Sequence, residues 1–389
     1  MRLSAALAAA AAATTLHTVA GFTPGFAIRA PALRRHRSLT GAPVAARRGR
    51  LYASDEDGED EDAADADDGV RWLPPLDPSG AETEAGEGEA VLPLFPLGAH
   101  VPGTETVLNI FEPRYRAMYN AILLNGSKRF CVAAIDPDTG RVAEVGTMFY
   151  LDDLKEVSQQ TDDRVKFVCT HSVKERVRID RVLNPQAWQS GSTYLKVVGS
   201  EIEDVDAATD TGSAEAAIMQ TFTRVVELQA RGNEDIRFAP STPDKFGVSR
   251  DKFWAMVELW KGLLDANILG RQQEMQLTLQ KRLLKFLSEK GQGPKAGGDA
   301  SIRMSDLPAD LKNEVQQLQE RVQEELQPML KEQTTVLQRL LQEDSHAKRL
   351  AVLAASFEHE ERRLAARSAL RSLGLGGSGG GGGGSEAAA

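Results

Sequence analysis

Apolar and polar residues alternate with two different periods along the chain, and the change comes after residue 205. Within residues 91–205, apolar side chains such as Val165, Phe167 and Cys169 occupy every second position. This period is typical of short β-strands that bury one face, and several such strands indicate a barrel or a compact sheet. From residue 214 onward, apolar residues recur at every third or fourth position, which predicts α-helices. The pattern therefore predicts an α+β chain whose β-rich part precedes a helical part.

Several short elements are predicted at the start of the β-rich part. The apolar run at 91–97 contains Pro93 and Pro96, which cannot donate to a sheet ladder. This run therefore predicts an edge strand or an extended lead-in segment. Pro102-Gly103 marks a turn, and Pro113 suits the first turn of a short helix that follows a second strand.

Three small residues interrupt or line the predicted strands. Gly146 breaks a returning strand, as a β-bulge or the close approach of another backbone would. Cys131 and Cys169 lie in apolar segments, where buried small hydrophobes are the simplest interpretation. A redox link between them would need two adjacent strands with a suitable Cα separation.

One predicted helix has a coiled-coil-like spacing of apolar residues. Leu311, Val315, Leu318 and Val322 step by four, three and four residues, which indicates the seam of a short coiled coil. Pro328 should kink or end that helix, because proline lacks the N–H and crowds the preceding turn.

Acidic residues are concentrated in one short segment. The chain has a formal net charge of −10, and residues 55–89 carry fifteen Asp or Glu against Arg71 alone. Such a segment cannot bury enough apolar surface to offset chain entropy, so residues 55–90 are predicted to form a disordered acidic linker. The remaining body is nearly neutral, which disfavours a strong electrostatic footprint for nucleic acid.

The first 54 residues have the composition of a targeting sequence. They contain no Asp or Glu and eight Arg. An apolar run followed by small residues predicts a signal peptide at 1–21, and the Arg-rich remainder predicts a transit peptide at 22–54. This order, with Phe22 at the junction, resembles the bipartite presequence of algae with secondary plastids. It predicts a plastid (chloroplast) protein, and secretion is the alternative.

Three blocks near the start of the β-rich part resemble a known family. LPLFPL at 92–97, the PG turn at 102–103 and IFEPRYRAM at 110–118 are similar to the start of the Lon substrate-binding domain. That domain is the N-terminal part of Lon proteases and also occurs alone and in cereblon-type adaptors. The similarity continues through 140–151 and 176–183. The signature residues, which we expect to be mainly structural, are Pro93, Phe95, Pro96, Leu97, Pro102, Gly103, Phe111, Glu112, Pro113, Arg114, Tyr115 and Gly146.

The resemblance implies a domain organisation that periodicity alone does not. It implies a PUA-like β pseudobarrel at 91–205, followed by an α-helical bundle with long C-terminal helices at 214–373. The block at 349–373 resembles the closing helix of stand-alone Lon domains in plants and cyanobacteria. The helical part is enlarged around 288–335, which departs from the compact bundle of the family. Residues 374–389 form a Gly-rich tail that is flexible by composition.

No motif of a complete Lon protease is present in the sequence. The phosphate-binding pattern G-x-x-x-x-G-K-[ST] is missing, and the stretch 293–297, which superficially resembles the protease nucleophile region, contains no serine. His359 and Glu360 begin a pattern like H-E-x-x-H, but Arg363 stands where a second zinc-binding histidine is needed. The sequence thus predicts a protein that is not an enzyme, with no catalytic, cofactor-binding or metal site.

Two charged sets have a functional and a structural interpretation. Glu112, Arg114 and Arg116 could contact a ligand, but a carboxylate at a helix N-terminus paired with an arginine explains them structurally. Lys174, Arg176, Arg178 and Arg181 give a basic strand face that could bind RNA. Neighbouring acids dilute that charge, and no aromatic residues are interleaved for base stacking, so RNA binding is the alternative function.

Together these features predict a non-catalytic Lon-domain module in plastid protein quality control. It would recognise polypeptide clients, or a plastid protease or chaperone, through apolar burial in a groove between the sheet and the helices. No stretch after residue 20 is apolar enough to span a bilayer, so no membrane contact is expected of the mature form. The alternative is a PUA-like RNA-binding protein.

Overall fold

The computed structural model of the chain describes four ranges of residues, which are 69–77, 79–136, 139–289 and 309–373. The predicted signal peptide, transit peptide and Gly-rich tail lie outside the described residues. The side chains of Leu311, Val315, Leu318 and Val322 do so as well, and the coiled-coil seam therefore stays a prediction.

The described ranges contain six strands and six α-helices. The strands are β1 Val91–Pro96, β2 Glu105–Ile110, β3 Arg129–Ala133, β4 Val145–Glu156, β5 Phe167–Val182 and β6 Leu195–Glu201. The helices are α1 Pro113–Leu124, α2 Gln186–Ser190, α3 Gly212–Arg231, α4 Phe253–Glu289, α5 Ala309–Gln342 and α6 His346–Ser372. This sequence of elements confirms the predicted α+β fold class.

Five of the strands close into a barrel in the order β5, β4, β3, β1 and β6, with β6 returning to β5. The length of β5 makes this closure possible, because its first half pairs with β2 and its second half with β6. β1 and β3 are parallel, while the other neighbours are antiparallel. α1 lies in the connection between β2 and β3, which allows β1 and β3 to run in the same direction.

The prediction that β1 is an edge strand is wrong. β3 pairs with Leu94–Pro96 on one side, and β6 pairs with Val91–Leu94 on the other. Each neighbour thus pairs with only half of β1. The missing N–H groups of Pro93 and Pro96 therefore cost few hydrogen bonds in the sheet. A central position is therefore tolerated in a short strand of a small barrel.

The two cysteines are buried in the barrel half but do not lie on adjacent strands. Cys131 of β3 pairs with Met148 of β4, whereas Cys169 of β5 pairs with Leu154 near the other end of β4. β4 therefore separates them, and the arrangement needed for a redox link is not present. Burial raises the pKa of each thiol to about 12, which keeps both in the unreactive protonated form.

Residues 69–90 lie against the barrel, so the prediction of disorder is wrong for this part of the linker. Val70 and Leu73 are buried, and the backbone N–H of Leu73 donates to the carbonyl of Val142 at 2.8 Å. The acid-rich composition of 55–68 had dominated the prediction. A few apolar residues and several hydrogen bonds, among them those of Arg71 and Thr83 with Glu144 and Leu183, hold this segment because the folded barrel supplies the surface.

Pro328 does not end a helix, since α5 runs from Ala309 to Gln342 without interruption. Leu326, two residues earlier, is buried. Gln333 donates from Nε2 to Oδ1 of Asp265 on α4 at 2.7 Å. Packing and side-chain contacts on both sides of the proline offset the hydrogen bond that it removes.

Within the described ranges, no helix combines the length and apolarity needed to cross a membrane.

A histidine, His171, is fully buried between the barrel and α1. Its Nδ1 lies 3.3 Å from the carbonyl of Thr106, and its Nε2 lies 2.8 Å from the hydroxyl of Tyr119. A carbonyl can only accept, so Nδ1 carries the proton and Nε2 accepts from the tyrosine. Both hydrogen bonds therefore suit the neutral ring. Burial lowers the pKa of His171 to about 4.

We expect the stability contributed by His171 to fall in mild acid. An unfolded histidine has a pKa of about 6.5, so between pH 6.5 and 4 the unfolded chain binds a proton that the folded chain does not. The part of the free energy of unfolding that His171 contributes should fall by about 1.4 kcal/mol per pH unit over this window and stay constant above it. Urea unfolding at several pH values measures the slope.

The variant His171→Gln is the control for this slope. It removes the titrating group while keeping a donor and an acceptor. Between pH 6.5 and 4, the variant should therefore lose about 3 kcal/mol less of its free energy of unfolding than the unchanged protein does. Equal slopes in the two proteins would show that His171 is not kept neutral by the fold.

Candidate functional site

The boundary between the barrel and the helices is filled by side chains from both halves. Val101 and Val145 of the barrel half belong to the same buried cluster as Leu337 and Leu341 of α5. The buried Gln338 donates from Nε2 to the carbonyl of Val145 at 2.6 Å. The groove predicted between the two halves is therefore closed across this contact.

Three arginines from different parts of the chain surround the C-terminus of α5. They are Arg71, Arg176 and Arg349. Arg176 is almost completely buried and donates from Nη1 to the carbonyl of Leu341 at 3.0 Å and to that of Glu343. The last carbonyls of a helix lack partners within it, and cations are favoured there. The arginines thus satisfy this helix end inside the boundary.

Asp204, in the segment after β6, joins two of these arginines. One of its oxygens accepts from Nη2 of Arg176 and from Nη1 of Arg349, each at 2.7 Å. Burial raises the pKa of Asp204, but the hydrogen bond and charge of Arg349 and the charge of Arg176 lower it overall. The carboxylate therefore stays charged and ties the barrel to α6.

Asp206, two residues later, caps the first turn of α6. Its carboxylate accepts from the backbone N–H groups of His346 at 2.9 Å and Ala347 at 3.0 Å and from the hydroxyl of Ser345 at 2.7 Å. Burial acts to raise the pKa of Asp206, but these hydrogen bonds and that of Arg250 hold it below its usual range. No local pattern in the sequence predicts these contacts, because Arg349 lies 145 residues after Asp204 and His346 lies 140 residues after Asp206.

The basic strand face predicted on β5 is not presented as one surface. Arg176 points into the helical half, as described above. Arg181 donates from Nη1 to Oε1 of Glu89 at 2.8 Å, and the ammonium of Lys174 lies 4.6 Å from the ring centroid of Tyr150. These contacts use three of the four charges within the molecule and leave only Arg178 without such a contact to another described residue, so the structure does not favour the RNA-binding alternative.

The signature residues of α1 and β1 are in contact with one another. The rings of Phe95 and Tyr115 stack with a centroid distance of 3.9 Å. Arg114 lies over the ring of Tyr115 and donates from Nε to Oε2 of Glu112 at 2.8 Å. Phe111 is the exception, with about half of its side chain exposed. Glu112 and Arg114 thus form the ion pair of the structural interpretation.

Two signature glycines occupy backbone positions that favour glycine for different reasons. Gly103 has a φ of +84°, which favours glycine, and its N–H donates to the carbonyl of Val173 at 2.8 Å. Gly146 lies so close to β3 that a Cβ would stand 2.4 Å from the carbonyl oxygen of Val132. The sequence had indicated a bulge or a close backbone approach at Gly146, and the structure shows the close approach.

A cleft of about 530 Å³ opens within the helical half, between α4, α5, α6 and the loop that follows α3. Its floor is apolar and consists of Ile236, Trp260, Leu264, Ile268, Met329 and Val336. Ile236, Leu264 and Met329 are only partly buried and remain available for contact. The size and the apolar floor are those of sites that bind small molecules or short chain segments.

The floor of the cleft could in part have been found in the sequence. Trp260, Leu264 and Ile268 are spaced by four residues along α4, which is the spacing of an apolar helix face. Ile236 lies in a loop and Met329 beside a proline, and neither position carries a periodic signal. Their approach to α4 depends on how three helices pack.

Charged residues form the rim of the cleft. The carboxylates are Glu234, Asp235, Glu274, Glu325, Glu332 and Glu360, and the guanidiniums are Arg271, Arg363 and Arg367. Arg271 connects α4 to α5 by donating to Glu325 at 2.6 Å, and it also donates to Glu274 at 2.7 Å. These two hydrogen bonds raise the pKa of Arg271 above its usual range.

The partial H-E-x-x-H pattern lies on the rim of the cleft and forms an ion pair there. Arg363 donates from Nε and Nη2 to the two carboxylate oxygens of Glu360, at 2.6 and 2.7 Å. His359 also lines the cleft. Among the described residues, no group of three or more His, Cys, Asp or Glu is arranged to hold a metal ion. The arrangement can bind a segment by apolar and electrostatic contacts.

A comparison of the chain with known protein families gives one match. A family model described as the ATP-dependent protease La (LON) substrate-binding domain matches residues 91–358. A Lon N-terminal domain protein from Xanthomonas campestris is 21% identical, with 39% of this chain and 86% of that chain covered at a TM-score of 0.25. The N-terminal domain of a Lon protease of the Mycobacterium avium complex is 15% identical, with 40% and 76% covered at a TM-score of 0.28. None of the curated proteins matches the chain.

Proposed function

The chain belongs to the family of the ATP-dependent protease La (LON) substrate-binding domain, and on this premise we propose that it is a non-catalytic module that binds polypeptide segments. The binding site is the cleft between α4, α5 and α6. The partner is an unfolded client, or a plastid protease or chaperone that receives the client. The module acts in plastid protein quality control, to which the presequence predicted at 1–54 would deliver it.

The observation that carries the proposal is the partly exposed apolar floor of the cleft. Leu264 and Met329 face the opening from two different helices, and Ile236 adds a third side. A bound apolar side chain would remove these surfaces from water, which contributes about 1.5–3 kcal/mol for each large side chain that becomes fully buried. An extended segment placing two such side chains in the cleft would gain enough free energy for reversible binding.

The closure of the boundary between the halves supports the same location. Gln338, Val145 and Arg176 join the barrel to α5, so α5 is held in place at its C-terminal end. Arg271 and Glu325 link α4 and α5 beside the opening. The cleft is therefore a preformed site, and binding there requires little ordering of the protein.

Replacing the floor residues should weaken binding of an unfolded client. The variants Leu264→Gln and Met329→Gln keep side-chain length and helix propensity but place a polar amide in the cleft. We expect each to weaken binding of reduced, carboxymethylated α-lactalbumin by roughly tenfold, since about 1.4 kcal/mol of apolar burial is lost. Fluorescence anisotropy of the labelled client measures the affinity.

The matched control is Leu124→Gln at the end of α1. This leucine is 89% exposed and lies on the barrel half, so it undergoes the same chemical change outside the cleft. Its affinity for the client should equal that of the unchanged protein. Thermal unfolding of all three variants checks that they are folded. If Leu124→Gln weakened binding and the two cleft variants did not, the site would be on the barrel.

A further inference from the structure

The rim of the cleft has an excess of negative charge. It carries six carboxylates and three guanidiniums, and each of the guanidiniums is already in an ion pair with a carboxylate of the rim. Asp235 and Glu332 have neither an ion pair nor a side-chain hydrogen bond with another described residue. Both are exposed, and they lie on different elements, the loop after α3 and α5.

The arrangement of this charge distinguishes the site from a purely apolar groove. Apolar side chains would lie on the floor, while the two unpaired carboxylates stand at the opening, where the polar ends of long side chains would emerge. Arginine and lysine have apolar stems and a charged head, so they can cover the floor and reach the rim at once. Acidic side chains would meet like charge at the same positions.

Resting on the proposed function, we propose that the occupant of the cleft is a polypeptide segment rich in arginine and apolar residues and free of acids. The cleft selects such segments through Asp235 and Glu332, and the apolar floor supplies the affinity that is independent of charge. The selectivity is therefore a difference in affinity between basic and neutral segments of the same apolarity.

The chain itself contains a segment of this chemistry that can serve as the probe. Residues 22–54 include seven Arg, several apolar residues and no Asp or Glu. A labelled peptide of this sequence and a second peptide with all seven Arg replaced by Gln differ by seven charges and by the length of those seven side chains. Both can be titrated with residues 55–389, which contain every described residue of the fold.

We expect the arginine peptide to bind at least tenfold more tightly than its glutamine counterpart at low salt, and the difference to shrink as salt is added. The double variant with Asp235→Asn and Glu332→Gln should lose about fivefold in affinity for the arginine peptide, as expected for two exposed charge pairs. Its affinity for the glutamine peptide should not change.

The control protein has Glu105→Gln and Glu203→Gln, which remove two exposed carboxylates of the barrel half and the segment after it. It should bind the arginine peptide like the unchanged protein. An equal loss of affinity in this control would show that the peptide responds to the net charge of the protein and not to Asp235 and Glu332. That result would overturn the inference.

The outcomes separate this inference from the proposed function. If both peptides bind equally and the floor variants weaken both, the cleft binds polypeptide without selecting charge, and only the inference fails. If the floor variants change neither the binding of the client nor that of the peptides, the proposed function fails as well.

Discussion

Replacing Gly146 with alanine is expected to destabilise the domain by about 3 kcal/mol or more, at the upper end of what overpacking of a core costs. An added Cβ would stand 2.4 Å from the carbonyl oxygen of Val132 and 2.9 Å from the sulfur of Cys131. The sulfur could move, but the carbonyl belongs to the neighbouring strand β3. The backbones of β3 and β4 would therefore have to separate within a closed barrel. Urea unfolding of the variant measures the loss.

Two further variants test whether the carbonyl is the cause. Adding Cys131→Ala to Gly146→Ala removes the sulfur contact and leaves the carbonyl, so little stability should return. Gly262→Ala is the opposite control, because Gly262 lies in the middle of α4 and a Cβ there would meet nothing within 4 Å. That change should stabilise the helix by about 0.5–1 kcal/mol. Similar stabilities for Gly146→Ala and the unchanged protein would contradict the close approach.

Replacing Arg176 with alanine should cost about 3–5 kcal/mol, the range found when one partner of a buried ion pair is removed. Arg176 is 6% exposed and contacts the carbonyls of Leu341 and Glu343 together with the carboxylate of Asp204. Its loss leaves these acceptors in the boundary without their donor. Lysine should not rescue the variant, because one ammonium cannot reach acceptors on both α5 and the segment after β6.

Arg178, two residues along the same strand, is the matched control. It lies on β5 like Arg176, is partly exposed, and forms no ion pair with another described residue. Arg178→Ala should change the free energy of unfolding by less than about 1 kcal/mol. Denaturant unfolding followed by tryptophan fluorescence compares the two. Equal losses would mean that the boundary does not depend on Arg176, and the description of α5 as held by the barrel would be wrong.

Local patterns in the sequence determined the fold class and the order of the elements. The alternation in 91–205 and the helical period after 214 depend only on neighbouring residues, and both survived in the structure. The FEPRYR block, with the turn before it, was sufficient to suggest the family that the match over 91–358 shows. The domain boundaries, the targeting sequence and the roles of the signature residues stay predictions.

Tertiary structure alone decided which surfaces are open and which are closed. Pro93 and Pro96 argued for an edge strand, yet β1 lies between two neighbours because barrel closure requires it there. Asp204 and Asp206 have no periodic signal of their own, and only folding brings Arg176, Arg349 and the start of α6 to them across the boundary. The cleft depends on Ile236, Leu264 and Met329, which come together only when three helices pack. Such contacts join residues that are far apart in the chain, whereas the period of apolar residues depends only on residues that are close together in the sequence.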